Sequence, residues 1–139
     1  MLRPEKEEIV FIASIRKNIF FMRGMRVMVS THLADLYGIE HRIFVQTFKR
    51  NRDRFPASHV FQLNTGEFSI LKSQFVISKY NYIRRSLPYA FSERGIVVLS
   101  GVISGSERSA AVNVALIHAF IRPYRPYMKT YPAYPPALC

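Results

Sequence analysis

The segment 30-STHLADLYGIEHRIFVQTFKRNRDRFP-56 contains two short helical patterns separated by one glycine. The first pattern begins at Ser30 or Thr31, either of which can cap a helix with its hydroxyl oxygen, and it runs to Tyr37. Gly38 ends this helix, because glycine adopts the left-handed conformation of a helix C-terminus without strain. Two helices around a glycine turn predict a helix-turn-helix unit.

The second helix is predicted to run from residue 40 to residue 51 and to have two different faces. Phe44 and Phe48 fall at i and i+4, and with Leu33 and Leu36 of the first helix they are expected in the core. The opposite face and the residues directly after the helix carry five basic side chains and one glutamine. These residues, here called the basic set, are Arg42, Gln46, Lys49, Arg50, Arg52 and Arg54. This side is predicted to face a polyanion.

The residue types of this basic set match groups on duplex DNA. In the major groove, arginine can pair with guanine and Gln46 can pair with adenine. Lys49, Arg52 and Arg54 are expected at phosphates instead, where they position the protein without reading sequence. The alternative interpretation of the same residues is a solvated helix face.

Residues 19–29 contain two β-prone runs on either side of Gly24, and this pattern predicts a β-hairpin with the glycine in its turn. The basic residues in and before the hairpin are Arg16, Lys17, Arg23 and Arg26. Because no acidic residue accompanies them, one face of the hairpin is predicted to be cationic and to lie along a phosphate backbone. Arg26 therefore joins the predicted DNA-binding residues.

The rest of the chain is predicted to supply elements that cover the core. In order these are a strand at 60–63, a helix at 67–76, a basic loop at 79–85, an extended segment at 87–91, a helix from Ser92 to Leu99 interrupted by Gly101 and Gly105, and a last helix from Ser106 to residue 122. Hairpin, helix-turn-helix-like unit and further helices together predict a small single domain of the α+β class.

Composition divides the chain into three parts. Residues 1–17 are expected to be an N-terminal lead-in, although 9–15 could be a strand or a short helix, and residues 18–122 are expected to form the domain. Residues 123–139 are rich in proline and tyrosine, which favour an extended polyproline II conformation, and this part is predicted to be a flexible tail.

The overall charge favours an anionic partner. The chain has 139 residues with 20 Lys+Arg against 9 Asp+Glu, a formal net charge of +11. With 49% hydrophobic residues it can still bury a core, so a disordered basic tail is excluded.

The expected location follows from what the sequence lacks. No apolar run reaches the ~18 residues of a membrane span, no signal peptide is recognisable, and the single cysteine fits a reducing compartment. We therefore expect a cytoplasmic protein, which is associated with the nucleoid if it binds DNA.

The sequence shows no pattern typical of an enzyme, a metal site or a cofactor site. The four histidines are scattered, and none has a second ligand at metal spacing. No nucleophile elbow, phosphate-binding loop or dinucleotide fingerprint is present. We therefore predict a non-catalytic protein without a cofactor.

Nine segments of the chain, in order, resemble the ORF6N domain, a DNA-binding module of phage and bacterial proteins related to the KilA-N and Bro-N modules. The matching segments are Arg23-Gly-Met-Arg-Val-Met-Val29, Leu33-Ala-Asp-Leu-Tyr-Gly-Ile39, Lys49-Arg-Asn51, Arg54-Phe-Pro56, Phe61-Gln-Leu63, Leu71-Lys-Ser-Gln74, Arg84-Arg85, Leu87-Pro-Tyr-Ala-Phe91 and Glu93-Arg-Gly95. The resemblance covers residues 18–122 and implies DNA binding in phage, prophage or bacterial transcription regulation.

Several partners stay open at this stage. Arg84 and Arg85 are predicted to contact DNA, or else to pair with a carboxylate inside the fold. Tyr80 and Tyr82 could stack on unpaired bases, which would indicate RNA or single-stranded DNA. A protein-interaction module that binds a repressor, as an antirepressor does, is the main alternative to a binder of double-stranded DNA. A homodimer is a further open alternative, because two-fold symmetric binding is common among helix-turn-helix proteins.

Overall fold

The computed structural model describes residues 6–74 and 87–121, which form six α-helices, four β-strands and one 3-10 turn. In chain order these are α1 (Lys6–Lys17), β1 (Phe20–Met22), β2 (Met25–Val29), α2 (Ser30–Tyr37), α3 (His41–Arg50), the 3-10 turn (Arg52–Arg54), β3 (Val60–Gln62), α4 (Thr65–Gln74), β4 (Tyr89–Ser92), α5 (Glu93–Val102) and α6 (Glu107–Ile121). The predicted α+β class is confirmed.

The four strands form one antiparallel sheet in the order β1-β2-β4-β3. Met28 of β2 lies opposite Phe91 of β4, which in turn lies opposite Val60 of β3. These three side chains belong to the larger core cluster, together with residues of α1, α2, α3, α5 and α6. The alternate positions on the other face, such as Val29 and Ala90, pack in a second cluster with residues of α4.

The hairpin prediction is confirmed, and both residues of its turn have positive φ. Arg23 has φ 52° and Gly24 has φ 78°, as in the two-residue turns whose twist matches that of the strands. The Arg23 guanidinium donates to both carboxylate oxygens of Glu67 at 2.8 and 2.9 Å and lies 3.9 Å from the centre of the Phe61 ring. The bond from Arg23 is the main reason that the pKa of Glu67 lies below its usual value. The start of α4 is thereby tied to the hairpin.

The segment 9–15, which the sequence left open between strand and helix, lies in α1. This helix packs against α6, with Ile15 buried and Phe11 and Ile12 partly buried against the core. The Arg16 guanidinium lies 3.5 Å from the carbonyl oxygen of His118, which is a long hydrogen bond.

Three predicted helix ends are wrong by one to three residues. One is the start of α4, which lies at Thr65 and not at residue 67. Val29, not Ser30 or Thr31, occupies the N-cap of α2 and makes no side-chain cap bond. The α5 helix continues past Leu99 and through Gly101 to Val102, because a single glycine weakens a helix without ending it.

Other boundaries agree with the sequence. Gly38 is the left-handed C-cap of α2, and the Ser92 hydroxyl caps α5 by accepting a bond from the Gly95 N–H. The strand β3 lies within the predicted 60–63, and α6 begins directly after the expected Ser106 cap, whose hydroxyl accepts from the Ser109 N–H at 3.0 Å. No helix in the described part of the chain combines the length and the apolar character that crossing a bilayer requires.

Candidate nucleic-acid interface

The inner face of α3 is anchored by two phenylalanines, as predicted. Phe44 is fully buried and Phe48 is 2% exposed. The Phe48 ring lies 5.0 Å from the ring of Tyr89, 5.3 Å from that of Phe91 and 5.1 Å from that of Phe55, centre to centre. Because three aromatic contacts hold this side of α3, the orientation of its outer face is fixed relative to the sheet.

The outer face of α3 presents the predicted basic set to solvent. Every member of the set is exposed, namely Arg42, Gln46, Lys49 and Arg50 on the helix and Arg52 and Arg54 on the 3-10 turn that follows. The Arg52 guanidinium carbon lies 5.1 Å from the centre of the Phe48 ring and 5.8 Å from that of Tyr89. Arg52 is therefore held in place by the core aromatics, whereas the other side chains extend from the surface.

Acidic residues offset only part of this charge. Residues 40–54 contain five basic and two acidic side chains, a net charge of +3. Glu40 accepts a hydrogen bond from Arg42 at 3.0 Å, but both side chains are 69% exposed. An ion pair this exposed is worth little in water, so Arg42 can exchange the carboxylate for a phosphate or a base edge.

The start of α3 is attached to the sheet through His41. Its Nε2 lies 2.8 Å from the Ser30 hydroxyl oxygen, which also accepts a bond from the backbone N–H of Tyr89 at 3.0 Å. Burial lowers the pKa of His41, against an opposing effect of the Asp35 carboxylate. His41 therefore positions α3 as a neutral group at neutral pH and adds no charge to the outer face.

The turn between α2 and α3 is held by a residue that the sequence analysis did not select. Gly38 has φ 74°, and the Arg108 side chain of α6 lies across it. Arg108 donates from Nε to the carbonyl oxygen of Leu36 at 3.0 Å and from Nη2 to that of Asp35 at 3.4 Å. These are the last carbonyls of α2, where a cation is favoured by the helix dipole.

We expect Arg108→Ala to lower the free energy of unfolding by about 1 kcal/mol, since two charge-assisted hydrogen bonds at a partly solvated site are lost. Urea denaturation followed by circular dichroism measures this change. Arg94→Ala, an exposed arginine of α5, serves as the matched control and should lie within about 0.5 kcal/mol of the wild type. Equal stability of the two variants would contradict a role for Arg108 in holding the turn.

The Arg26 side chain is bonded within the fold. Its Nη2 donates to the carbonyl oxygen of Phe120 at 2.7 Å and pairs with Glu93 at 3.3 Å. Arg26 thus joins the hairpin to α5 and α6, and its side chain is only 28% exposed. Its contact with DNA stays a prediction. Arg84 and Arg85, with Tyr80, Tyr82 and the tail at 123–139, lie outside the described residues.

A second residue that sequence analysis missed lies on α3 itself. Ile43 is 38% exposed and directly follows Arg42 on the outer side of the helix. The helical phase contained this signal, because Ile43 stands three residues before Gln46 and therefore on the same side. The sequence analysis considered only the polar and charged residues of this face.

An antiparallel sheet, covered by helices and carrying two helices around the Gly38 turn, defines a small single domain of the α+β class. The family model of the ORF6N domain matches residues 17–102, and the chain belongs to this phage-associated family. No curated protein and no solved structure matches the chain significantly. All of α6, including Arg108, and all of α1 except Lys17 lie outside the matched residues.

Proposed function

We propose that this protein binds double-stranded DNA by placing the outer face of α3 in the major groove. The observation that carries the proposal is the arrangement of α3, whose basic outer face stands opposite a rigid aromatic anchor. We further propose that the protein is not an enzyme and that it regulates transcription in a phage, a prophage or a bacterium. The formal charge of +11 supports attraction to a polyanion over long distances.

The chemistry of the outer face assigns two roles to its side chains. Arg42 lies in the first turn of α3 and Gln46 lies one turn later, and the N-terminal residues of a recognition helix are the ones that reach base edges. Lys49 at the end of α3 and Arg54 on the following turn are placed for phosphates. We propose a further phosphate contact for Arg52, whose guanidinium carbon lies 5.1 Å from the centre of the Phe48 ring.

The exposed apolar side chains support the alternative function, a module that binds a repressor, less than the basic face supports DNA binding. A protein-docking site is expected to form one contiguous apolar patch. The large apolar side chains exposed in the described residues lie on five different elements and are Phe21 on β1, Ile43 on α3, Ile70 on α4, Val97 on α5 and Val114 on α6. Single exposed apolar residues are common on soluble proteins.

The test is fluorescence anisotropy on random-sequence duplex DNA across a salt series, with Arg42/Lys49/Arg50→Ala as the variant. We expect wild-type affinity to fall by orders of magnitude between about 50 and 200 mM salt if roughly six or more phosphates are contacted. The variant should bind about 100-fold more weakly and with a shallower salt dependence, because about three contacts are lost.

The matched control lowers the net charge by the same three units on α4 and α5, as Lys72→Glu/Arg94→Ala, and leaves the hairpin and α3 unchanged. It changes net charge equally and should keep most of the affinity, and circular dichroism must show both variants folded. An equal loss in the control would mean that α3 is not the interface. Single-stranded DNA and RNA are measured in parallel, and tighter binding to either would replace duplex DNA as the partner.

A further inference from the structure

Ile43 is the one large apolar residue of α3 whose side chain the core does not use. Phe44 and Phe48 are buried in the main cluster, and Val45 packs against it. Ile43 is 38% exposed instead. One exposed isoleucine is common on a soluble protein, and what distinguishes Ile43 is its place on the outer face of α3.

The position of Ile43 places it beside the polar side chains of the outer face. Ile43, Gln46 and Arg50 stand at i, i+3 and i+7, so they form one row along the helix. Any surface that Gln46 contacts is therefore within reach of Ile43. The partner of this row must offer an apolar group next to hydrogen-bonding groups.

We propose that Ile43 is a specificity-determining residue that contacts the C5-methyl group of a pyrimidine in the major groove, next to the base read by Gln46. This inference rests on the proposed docking of α3. The methyl group of thymine is the apolar group that the major groove of unmodified DNA displays. 5-Methylcytosine carries a methyl group at the same ring position, so both bases offer the same chemistry.

The probe is a pair of short alternating duplexes, d(AT) and d(AU), which differ only in the C5-methyl group. We expect the wild type to bind d(AT) about fourfold more tightly, the effect of burying one methyl group. In Ile43→Ala the ratio of the two affinities should fall to about one. Alternating d(GC) duplexes with and without 5-methylcytosine show whether the methyl group of cytosine is also accepted.

Val114→Ala is the matched control, because it truncates an exposed apolar side chain on α6, and it should keep the wild-type ratio. If the wild type does not distinguish d(AT) from d(AU) but still depends on Arg42, Lys49 and Arg50, the role of Ile43 is overturned and DNA binding by α3 stands. If Ile43→Ala retains the methyl preference, the assignment to Ile43 is likewise overturned. Absence of salt-sensitive binding to every duplex would overturn the proposed function as well.

Discussion

Phe48→Ala is expected to lower the free energy of unfolding by about 3–5 kcal/mol, the range for removing a fully buried phenylalanine. Phe48 is 2% exposed and packs edge-on against Phe55 and Phe91. The substitution leaves a cavity between α3 and the sheet and also removes the ring beneath Arg52. Domains of this size are stable by only about 5–15 kcal/mol. A large fraction of the variant molecules should therefore be unfolded at moderate temperature.

Thermal and urea denaturation should compare Phe48→Ala with Phe21→Ala. Both variants make the same change of residue type, so a difference in stability reports the effect of burial. Phe21 is 68% exposed on β1, so its truncation should change stability by no more than about 0.5 kcal/mol. A Phe48→Ala variant that is as stable as Phe21→Ala and loses only DNA affinity would contradict the assignment of Phe48 to the core.

Gly95→Ala is expected to destabilise the fold by about 2 kcal/mol, although alanine is the better helix former. A Cβ atom at Gly95 would lie 2.6 Å from the carbonyl oxygen of His59 and 3.2 Å from Val60. The His59 carbonyl cannot retreat freely, because it accepts bonds from both the N–H and the hydroxyl of Ser92 at 3.0 Å. The strain therefore falls on the junction of β3, β4 and α5.

The control is Gly101→Ala in the same helix, where, among the described residues, no atom beyond the adjacent residues and the backbone of α5 lies within 4 Å of the added carbon. This substitution should stabilise the protein by about 0.5–1 kcal/mol, the usual gain of alanine over glycine in a helix. Urea denaturation of the two variants should thus show shifts of opposite sign. A stabilising Gly95→Ala would mean that β3 and α5 do not approach as closely as the structure shows.

The two faces of α3 determine how DNA-binding measurements are interpreted. The ten residues of α3 supply both the aromatic anchor and the proposed interface. A substitution on the inner face lowers affinity by unfolding the helix, whereas one on the outer face removes a contact from a folded protein. Only variants with an unchanged unfolding transition report on the interface itself.

Local patterns in the sequence were enough to predict the hairpin, the two helices around Gly38 and the two faces of α3. Helical periodicity separates Phe44 from Gln46 within one turn, and glycine at a left-handed position is a local requirement. The order of strands was not predictable in this way. The pairing of β2 with β4 joins Met28 to Phe91, which are distant in sequence, and no local signal specifies that contact.

The surroundings of individual charges depended most on the tertiary structure. The sequence predicted that Arg26 contacts DNA, and only the fold shows that its side chain is also bonded to Phe120 and Glu93. Arg108 was not among the predicted residues, and it donates to the carbonyl oxygen of Leu36, which is 72 residues away in the chain. Secondary structure follows from the backbone and from neighbours within one or two turns, which the sequence lists directly. The partners of a long arginine side chain follow from which distant carbonyls and carboxylates the packing of helices on the sheet brings within its reach.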